Sequence, residues 1–407
     1  MSIVTSSNRG KWLFLGMLLL LLFAVESAVT YRYVSSQVPG ANDFYSRWAG
    51  ARALLLEGRD PYGLDVTAEI QPVIAIDPSE VGRGGFAYPL HVLFLFWPLV
   101  YLSYAWAQAI WLVALQWLAI GTVAGLLAWK RWQPSPLGAV GLLLAALAFY
   151  PVTRTVFLGQ FTLWVVFFLV MALWALDRGL DGRAGVLLAA TSVKPQMVIL
   201  IGPWLVLWAV WQRRWRFLAG LLSGGIALLL ASLALFPRWP INFLEDVQRY
   251  SRVAGGRYPL ALLQELVWPG APASLRFVLA GLLGLGLLVS GWQARHENGA
   301  RFRQALHWAI VVTLLVPFQT GTTNQVLLLI PLFDWLHQVV GRWGVRPAAI
   351  GLPIFLAGLW GLFLATISGN YENPILFLPL PLLTLAILLA TSFREWQAAF
   401  GQARHAG

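Results

Sequence analysis

The chain has no cysteine and little charge. Of its 407 residues, 11% are charged, where a soluble domain carries about a quarter, so it cannot clothe a water-facing surface of ordinary size. The absence of cysteine excludes a disulfide framework, a thiolate metal site and a cysteine nucleophile. The five histidines form no pair at metal-ligand spacing, which argues against an all-protein zinc site. Also missing are a Walker A loop, a Gly-rich dinucleotide fingerprint and a Gly-x-Ser-x-Gly elbow, which argues against an ATP-driven pump and a serine hydrolase. There is no internal repeat and no low-complexity segment. What remains is apolar: 59% of residues are hydrophobic, in uncharged runs long enough to cross a bilayer. Barrel strands alternate over about ten residues, so these runs predict an all-α polytopic membrane protein. In that setting the net charge of +11 reads as short basic loops that set orientation, with no nucleic-acid partner.

The first run follows Arg9 and Lys11 and extends from Trp12 to about Tyr31, too long for the core of a cleaved signal peptide. Others lie at about 104–129, 137–153, 160–176, 183–193, 196–212, 217–236, 276–292, 304–318, 325–340, 348–367 and 374–391. About twelve spans are therefore expected, in one transmembrane domain over 1–407, with both termini on the same side. Placing the N-terminus in the cytoplasm puts Lys130, Arg131, Arg178, Arg183, Arg213, Arg214, Arg216, Arg295, Arg301, Arg303, Arg342, Arg346, Arg394 and Arg404 on cytoplasmic ends, as the positive-inside rule requires. Two long outer loops remain, about 32–103 and 237–275. Lys194-Pro195 divides 184–212 into two short helices with Lys194 at the outer turn. Segment 84–103, with a break at Trp97-Pro98, is expected as a helix lying in or dipping into the outer interface.

Polar groups in so uncharged a chain mark the working side, and they gather on the outer one. Phe44, Trp48, Ala51 and Leu55 recur at helical spacing, with Arg47 and Arg52 on other faces, so 42–57 reads as an amphipathic interfacial helix stopped by Gly58. Asp43 at its start is either a general base in a cleft at the bilayer surface or a helix N-cap. Arg59-Asp60-Pro61-Tyr62-Gly63 reads as a turn. Lys194 either holds an anionic headgroup or snorkels to the interface. Arg154 and the Gly159-Gln160 turn share that face, with Arg154 a phosphate ligand or an interfacial anchor. His91, alone, reads as structural. Glu245 and Asp246 are adjacent and would point apart on a helix, which reads as a solvated face.

Taken in order, these segments resemble a known family. Asn42-Asp43-Phe44-Tyr45 with Gly58-Arg59-Asp60-Pro61-Tyr62 is similar to the first outer loop of glycosyltransferase family 87, the polyprenyl-phosphate-mannose-dependent mannosyltransferases. Phe86-Ala87-Tyr88-Pro89-Leu90 resembles its F-x-Y-P-P segment, with Leu90 in place of the second proline. Leu158-Gly159-Gln160-Phe161-Thr162-Leu163 and Ala184-Gly185-Val186-Leu187, leading to Val193-Lys194-Pro195, look like its later blocks, with Thr162 where asparagine is frequent. The resemblance covers about 40–220.

That resemblance implies a GT-C-type fold with interfacial helices in the first outer loop and a catalytic aspartate there, matching Asp43. It implies a membrane glycosyltransferase that moves a hexose, mannose in this family, from a polyprenyl-phosphate donor to an outer-leaflet hydroxyl on a lipid or glycan acceptor. Lys194 and Gln160 match the blocks facing the donor phosphate, with Arg154 beside them; Arg47, Asp60, Tyr62, Tyr88 and His91 fall in the cleft. A single displacement inverts the anomeric centre. Paired cations could serve a monophosphate leaving group without a divalent metal, so no cofactor is expected. The implied location is the cell inner membrane, multi-pass, among membrane lipids. The rival reading is a lipid or polyprenyl-phosphate transporter, though such proteins show repeat symmetry and midplane charges, here only Glu26 and Asp334. Another lipid-dependent transferase, such as a ligase or a phosphoethanolamine transferase, is a third; the last needs a soluble metal-binding domain for which no segment is long enough.

Overall fold

Lipid offers no hydrogen bonds, so an uncharged run that crosses it must satisfy its own backbone as a helix. A computed structural model describes residues 6–405 except 39, 78, 254–257, 318–320 and 369–371. Part of the predicted second loop and the side chains of Arg9, Arg394 and Arg404 lie outside the described residues. Within them the protein is built from helices joined by turns and loops, with no β-strand. Six helices are long and apolar enough to cross a membrane: Gly10–Ser35, Tyr104–Lys130, Trp215–Leu235, Ser274–Gln293, Val345–Thr366 and Pro374–Ser392. A seventh span would be the pair Pro136–Ala148 and Tyr150–Leu158, bent by 58°. The remaining predicted stretches are helical but shorter. Asp181–Ala190 has 10 residues, or roughly 15 Å at 1.5 Å per residue, about half the hydrocarbon thickness. Several spanning helices bury almost none of their apolar surface, 0% of the Val345–Thr366 window and 11% of Trp215–Leu235, the exposure expected of lipid-facing helices.

The chain divides into two compact units, one of residues 1–117, 156–160 and 241–253, the other of 118–155, 161–240 and 254–407. In the first unit the Asn42–Glu57 helix ends at Gly58, whose φ of +68° suits glycine after a helix C-terminus. The predicted apolar face is the packed one. Phe44 is fully buried and stacks on Trp111 at 4.7 Å, Trp48 donates its indole N–H to the Leu99 carbonyl at 2.9 Å, and Ala51 has no exposed surface. Arg47 departs from expectation: it is buried, because Tyr88 covers it. Segment 84–103 is also different. The expected break falls at Phe96, one residue before Trp97-Pro98, and in place of α-helix the segment forms two 3-10 turns, Leu90–Leu95 and Trp97–Tyr101. Pro98 has no N–H to give a continuous helix.

In the second unit, Lys194 sits between the 3-10 turns Thr191–Val193 and Pro195–Val198, so 181–211 is two α-helices with Lys194 in the break. The Asp181–Ala190 helix packs against Trp215–Leu235 so closely that a Cβ at Gly185 would lie 2.1 Å from the Phe217 carbonyl oxygen. Small residues let membrane helices approach this way. Gly185→Ala is therefore expected to wedge the helices apart and cost about 1–3 kcal/mol; a melting temperature equal to wild type in detergent would contradict this contact.

Candidate active site

The first unit assembles a polar network around Asp43. Asp43 lies in the first turn of the Asn42–Glu57 helix, but the N-cap is Ala41, with no side-chain cap bond. The capping role is thus not what holds Asp43. Its half-buried carboxylate accepts from Gln160 Nε2 at 2.6 Å through Oδ2, and Arg47 Nη1 stands 3.8 Å from Oδ1. Arg47 also donates to the Asp43 carbonyl at 3.0 Å. Gln160 in turn accepts from the Tyr88 hydroxyl at 2.9 Å, and the Tyr88 ring lies 4.4 Å beneath the Arg47 guanidinium. The two partners orient the Gln160 amide: its oxygen meets a donor and its nitrogen an acceptor. Asp43 and Arg47, one helical turn apart, thus join Tyr88 and Gln160, distant in sequence, in one connected set.

Local backbone geometry places each member. Gly159 has φ of +69°, and a Cβ there would lie 2.7 Å from the Phe44 Cβ and 2.9 Å from that of Ala41. Its carbonyl accepts from the Trp111 indole at 2.9 Å. Glycine is thus what lets the Gly159-Gln160 turn reach the start of the Asn42 helix. Ala41 and Ala87, the residues leading into Asp43 and Tyr88, have φ of +53° and +45°, values uncommon for non-glycine residues.

The turn at 59–63 supports Tyr88 from behind. Asp60 accepts from the Tyr62 amide at 2.9 Å through one oxygen and from Asn242 Nδ2 at 2.6 Å through the other. The buried Tyr62 hydroxyl donates to the Tyr88 carbonyl at 2.8 Å. Burial, with the Asp246 and Asp60 carboxylates nearby, pushes that hydroxyl well up, so it remains a donor. Arg59 holds Asp65, Glu57 and Glu69 in an exposed ion cluster, and the hydrogen bond from Arg59 keeps the Asp65 carboxyl low. Such exposed pairs contribute little. His91 is buried on the Leu90–Leu95 turn.

Sequence reasoning missed Asp246. Expected on a solvated face with Glu245, it is fully buried, while Glu245 is exposed. On the Trp239–Val253 helix, Asp246 accepts from the Ala87 amide at 2.8 Å, and Arg249 stands 3.4 Å away while donating to the Tyr62 carbonyl at 2.8 Å. Asn242, Asp246 and Arg249 recur at helical spacing (i, i+4, i+7), which is the signal that could have found them. Together they tie the Trp239–Val253 helix to Asp60, Ala87 and Tyr62.

Burial pushes the Asp246 carboxyl up, with the Ala87 amide and Arg249 partly opposing. A carboxyl raised in the folded state contributes stability that is complete below its unfolded pKa and is lost as pH rises through the folded value. The melting temperature of wild type relative to Asp246→Asn should therefore fall as pH rises from the unfolded carboxylate range toward neutrality. A pH-independent difference would contradict this burial. Tyr88→Phe should leave the fold intact but free the Gln160 amide to turn. One such hydrogen bond is worth about 1 kcal/mol, or roughly five-fold in kcat; an unchanged kcat would show that Tyr88 does not orient Gln160.

Arg154 and Lys194 belong to the second unit. Arg154 Nε lies 3.3 Å from Glu372, whose carboxylate also accepts from the Tyr150 and Thr322 hydroxyls at 2.8 Å. Lys194 is 5% exposed, so it does not reach into open solvent. The two ionisable groups expected within the spans have partners: Glu26 accepts from the Trp117 indole at 2.8 Å, and Asp334 pairs with Lys130. Among the described residues no three of His, Asp or Glu converge as a metal site needs.

Comparison with known proteins adds one match. No curated protein and no solved structure matches the chain. The family model that matches covers residues 86–258, a segment that includes Tyr88, Arg154, Gln160, Lys194 and Asp246; Asp43 lies before it. Over residues 86–258 the protein matches glycosyltransferase family 87, which indicates a glycosyltransferase built on apolar helices that fit a multi-pass membrane protein.

Proposed function

We propose that the protein transfers a hexose, mannose first among them, from a polyprenyl-phosphate donor to a hydroxyl of a lipid or glycan at the outer leaflet of the inner membrane, with both termini cytoplasmic. The observation that carries this reading is the Asp43 carboxylate: half-buried, not capping its helix, and held by Gln160 and Arg47. A carboxylate fixed in this way can take the proton of an attacking hydroxyl.

In the reaction, the acceptor oxygen bonds to the anomeric carbon as the bond from that carbon to the phosphate oxygen breaks. The acceptor's proton passes to Asp43, and the bonding pair leaves with the lipid phosphate. Gln160 and Arg47 hold the carboxylate in one orientation, which reduces the reorganisation needed as charge shifts. Lys194, matched to the donor phosphate by the family resemblance, and Arg154, a cation expected on the same face, would stabilise its growing charge. One displacement inverts the anomeric centre and uses no enzyme nucleophile, and paired cations could serve a monophosphate leaving group without a divalent metal.

The test is a donor panel. Purified protein is supplied with labelled polyprenyl-phosphate mannose, glucose or arabinose and a membrane lipid extract. Transfer of mannose to an extractable acceptor supports the full reading; transfer of another sugar keeps the class and changes the donor. Movement of intact donor across a vesicle wall without transfer would favour the transporter.

A further inference from the structure

We propose that a second site in this protein binds a phosphate-bearing anion, free or as the headgroup of a membrane lipid, in a basic cavity of the second unit. It is independent of the proposed transfer reaction and of every residue assigned to it. The cavity has a volume of about 580 Å³ and is lined by Lys130, Arg131, Arg214 and Arg303, by Asp177 and Asp334, and by apolar walls that include Trp208 and Phe302.

The charge count points to an anion. Asp334 is nearly fully buried and faces two cations at once: Lys130 pairs with one of its oxygens, and Arg303 Nε lies 3.5 Å from the other. His307 Nε2 adds a third approach at 3.6 Å. Arg131 pairs with Asp177 at 3.2 Å, and Arg214 with Asp181 at 2.9 Å. Four cations thus meet three carboxylates, and the excess positive charge falls at Asp334, where one carboxylate serves both Lys130 and Arg303. Charge left uncompensated in a partly buried cavity is costly, and an anion supplied from outside offsets it.

The chemistry of the donors selects phosphate. Three of the four cations are guanidiniums, whose planar forks match phosphate oxygens, and Lys130 supplies a point charge beside them. Asn298, with its amide turned to accept from Arg214 Nη2 at 2.9 Å, keeps that guanidinium in place. Position matters as well. Lys130 ends the Tyr104–Lys130 span and Arg214 immediately precedes Trp215–Leu235, so these cations stand at membrane-surface ends of helices, at headgroup level. The Trp208 and Phe302 walls suit the ester-linked part of a headgroup.

The experiment measures thermal stability of the full chain in neutral detergent, titrated with inorganic phosphate against chloride at matched ionic strength. It is repeated in phosphatidylcholine vesicles with and without phosphatidylglycerol. Arg303→Gln, whose side chain is 34% exposed in wild type, removes the surplus charge and leaves the Lys130–Asp334 pair; Arg131→Gln serves if that variant does not fold. Phosphate raising the melting temperature beyond chloride, with a half-saturating concentration roughly ten-fold higher in the variant, assigns a free phosphate. A response to phosphatidylglycerol alone, again lost in the variant, assigns a lipid headgroup. Equal responses to phosphate and chloride, with none to the lipid, or equal responses in wild type and variant, overturn the proposal.

Discussion

Asp43→Asn is expected to lower kcat by about two to four orders of magnitude, the usual contribution of a positioned general base, while leaving donor affinity and melting temperature close to wild type. Asparagine keeps the shape and can still accept from Gln160 Nε2, which lies 2.6 Å from the carboxylate. Because Ala41 and not Asp43 caps the Asn42–Glu57 helix, no cap is lost and the helix should not fray. What disappears is the capacity to take a proton. A variant with wild-type kcat would make Asp43 a structural acceptor for Gln160 and Arg47 and nothing more. A variant that binds donor poorly would move Asp43 from proton transfer to sugar recognition.

Gly159→Val should damage both stability and turnover. The position has φ of +69°, and even a Cβ would meet Phe44 and Ala41 at 2.7 and 2.9 Å. A β-branched residue at positive φ is a true outlier, costing about 1–3 kcal/mol in backbone strain, with a further cost of about 1–3 kcal/mol for overpacking against the buried Phe44. The turn must move, and Gln160 moves with it. The expected result is a melting temperature lowered by several degrees and kcat reduced at least about ten-fold in the fraction that remains folded. This differs from Asp43→Asn, which should leave stability alone. Loss of stability with full turnover per folded molecule would mean that Gln160 need not be held against Asp43.

Much of this site was legible because helical spacing and turn chemistry are local. Phe44, Trp48 and Ala51 mark the buried face of the Asn42–Glu57 helix, and Gly58 marks its end. The family blocks picked out Tyr88 and Gln160, which the fold joins by a hydrogen bond across 72 positions. Asp246 was hidden by its neighbour. Adjacent residues on a helix point about 100° apart, so one carboxylate of the pair faces water while the other turns inward, and adjacency alone does not say which. Arg47 was misplaced for a related reason: a helix enclosed on more than one side has no single polar face, and Tyr88, distant in sequence, covers it. The left-handed backbone at Ala41 and Ala87 has no signature in an alanine. The break at Lys194-Pro195 was legible because proline cannot continue a helix, but the two helices beside it, Asp181–Ala190 and Ile201–Trp211, were counted as spans although hydrophobicity alone does not give a helix its length.

The most direct test is the anomeric configuration of the product from a single turnover, with wild-type protein, labelled polyprenyl-phosphate-mannose and a membrane acceptor. One displacement with Asp43 as base predicts a glycoside whose configuration is opposite to that of the donor. A retained configuration would exclude a single in-line displacement and would contradict the role given to Asp43.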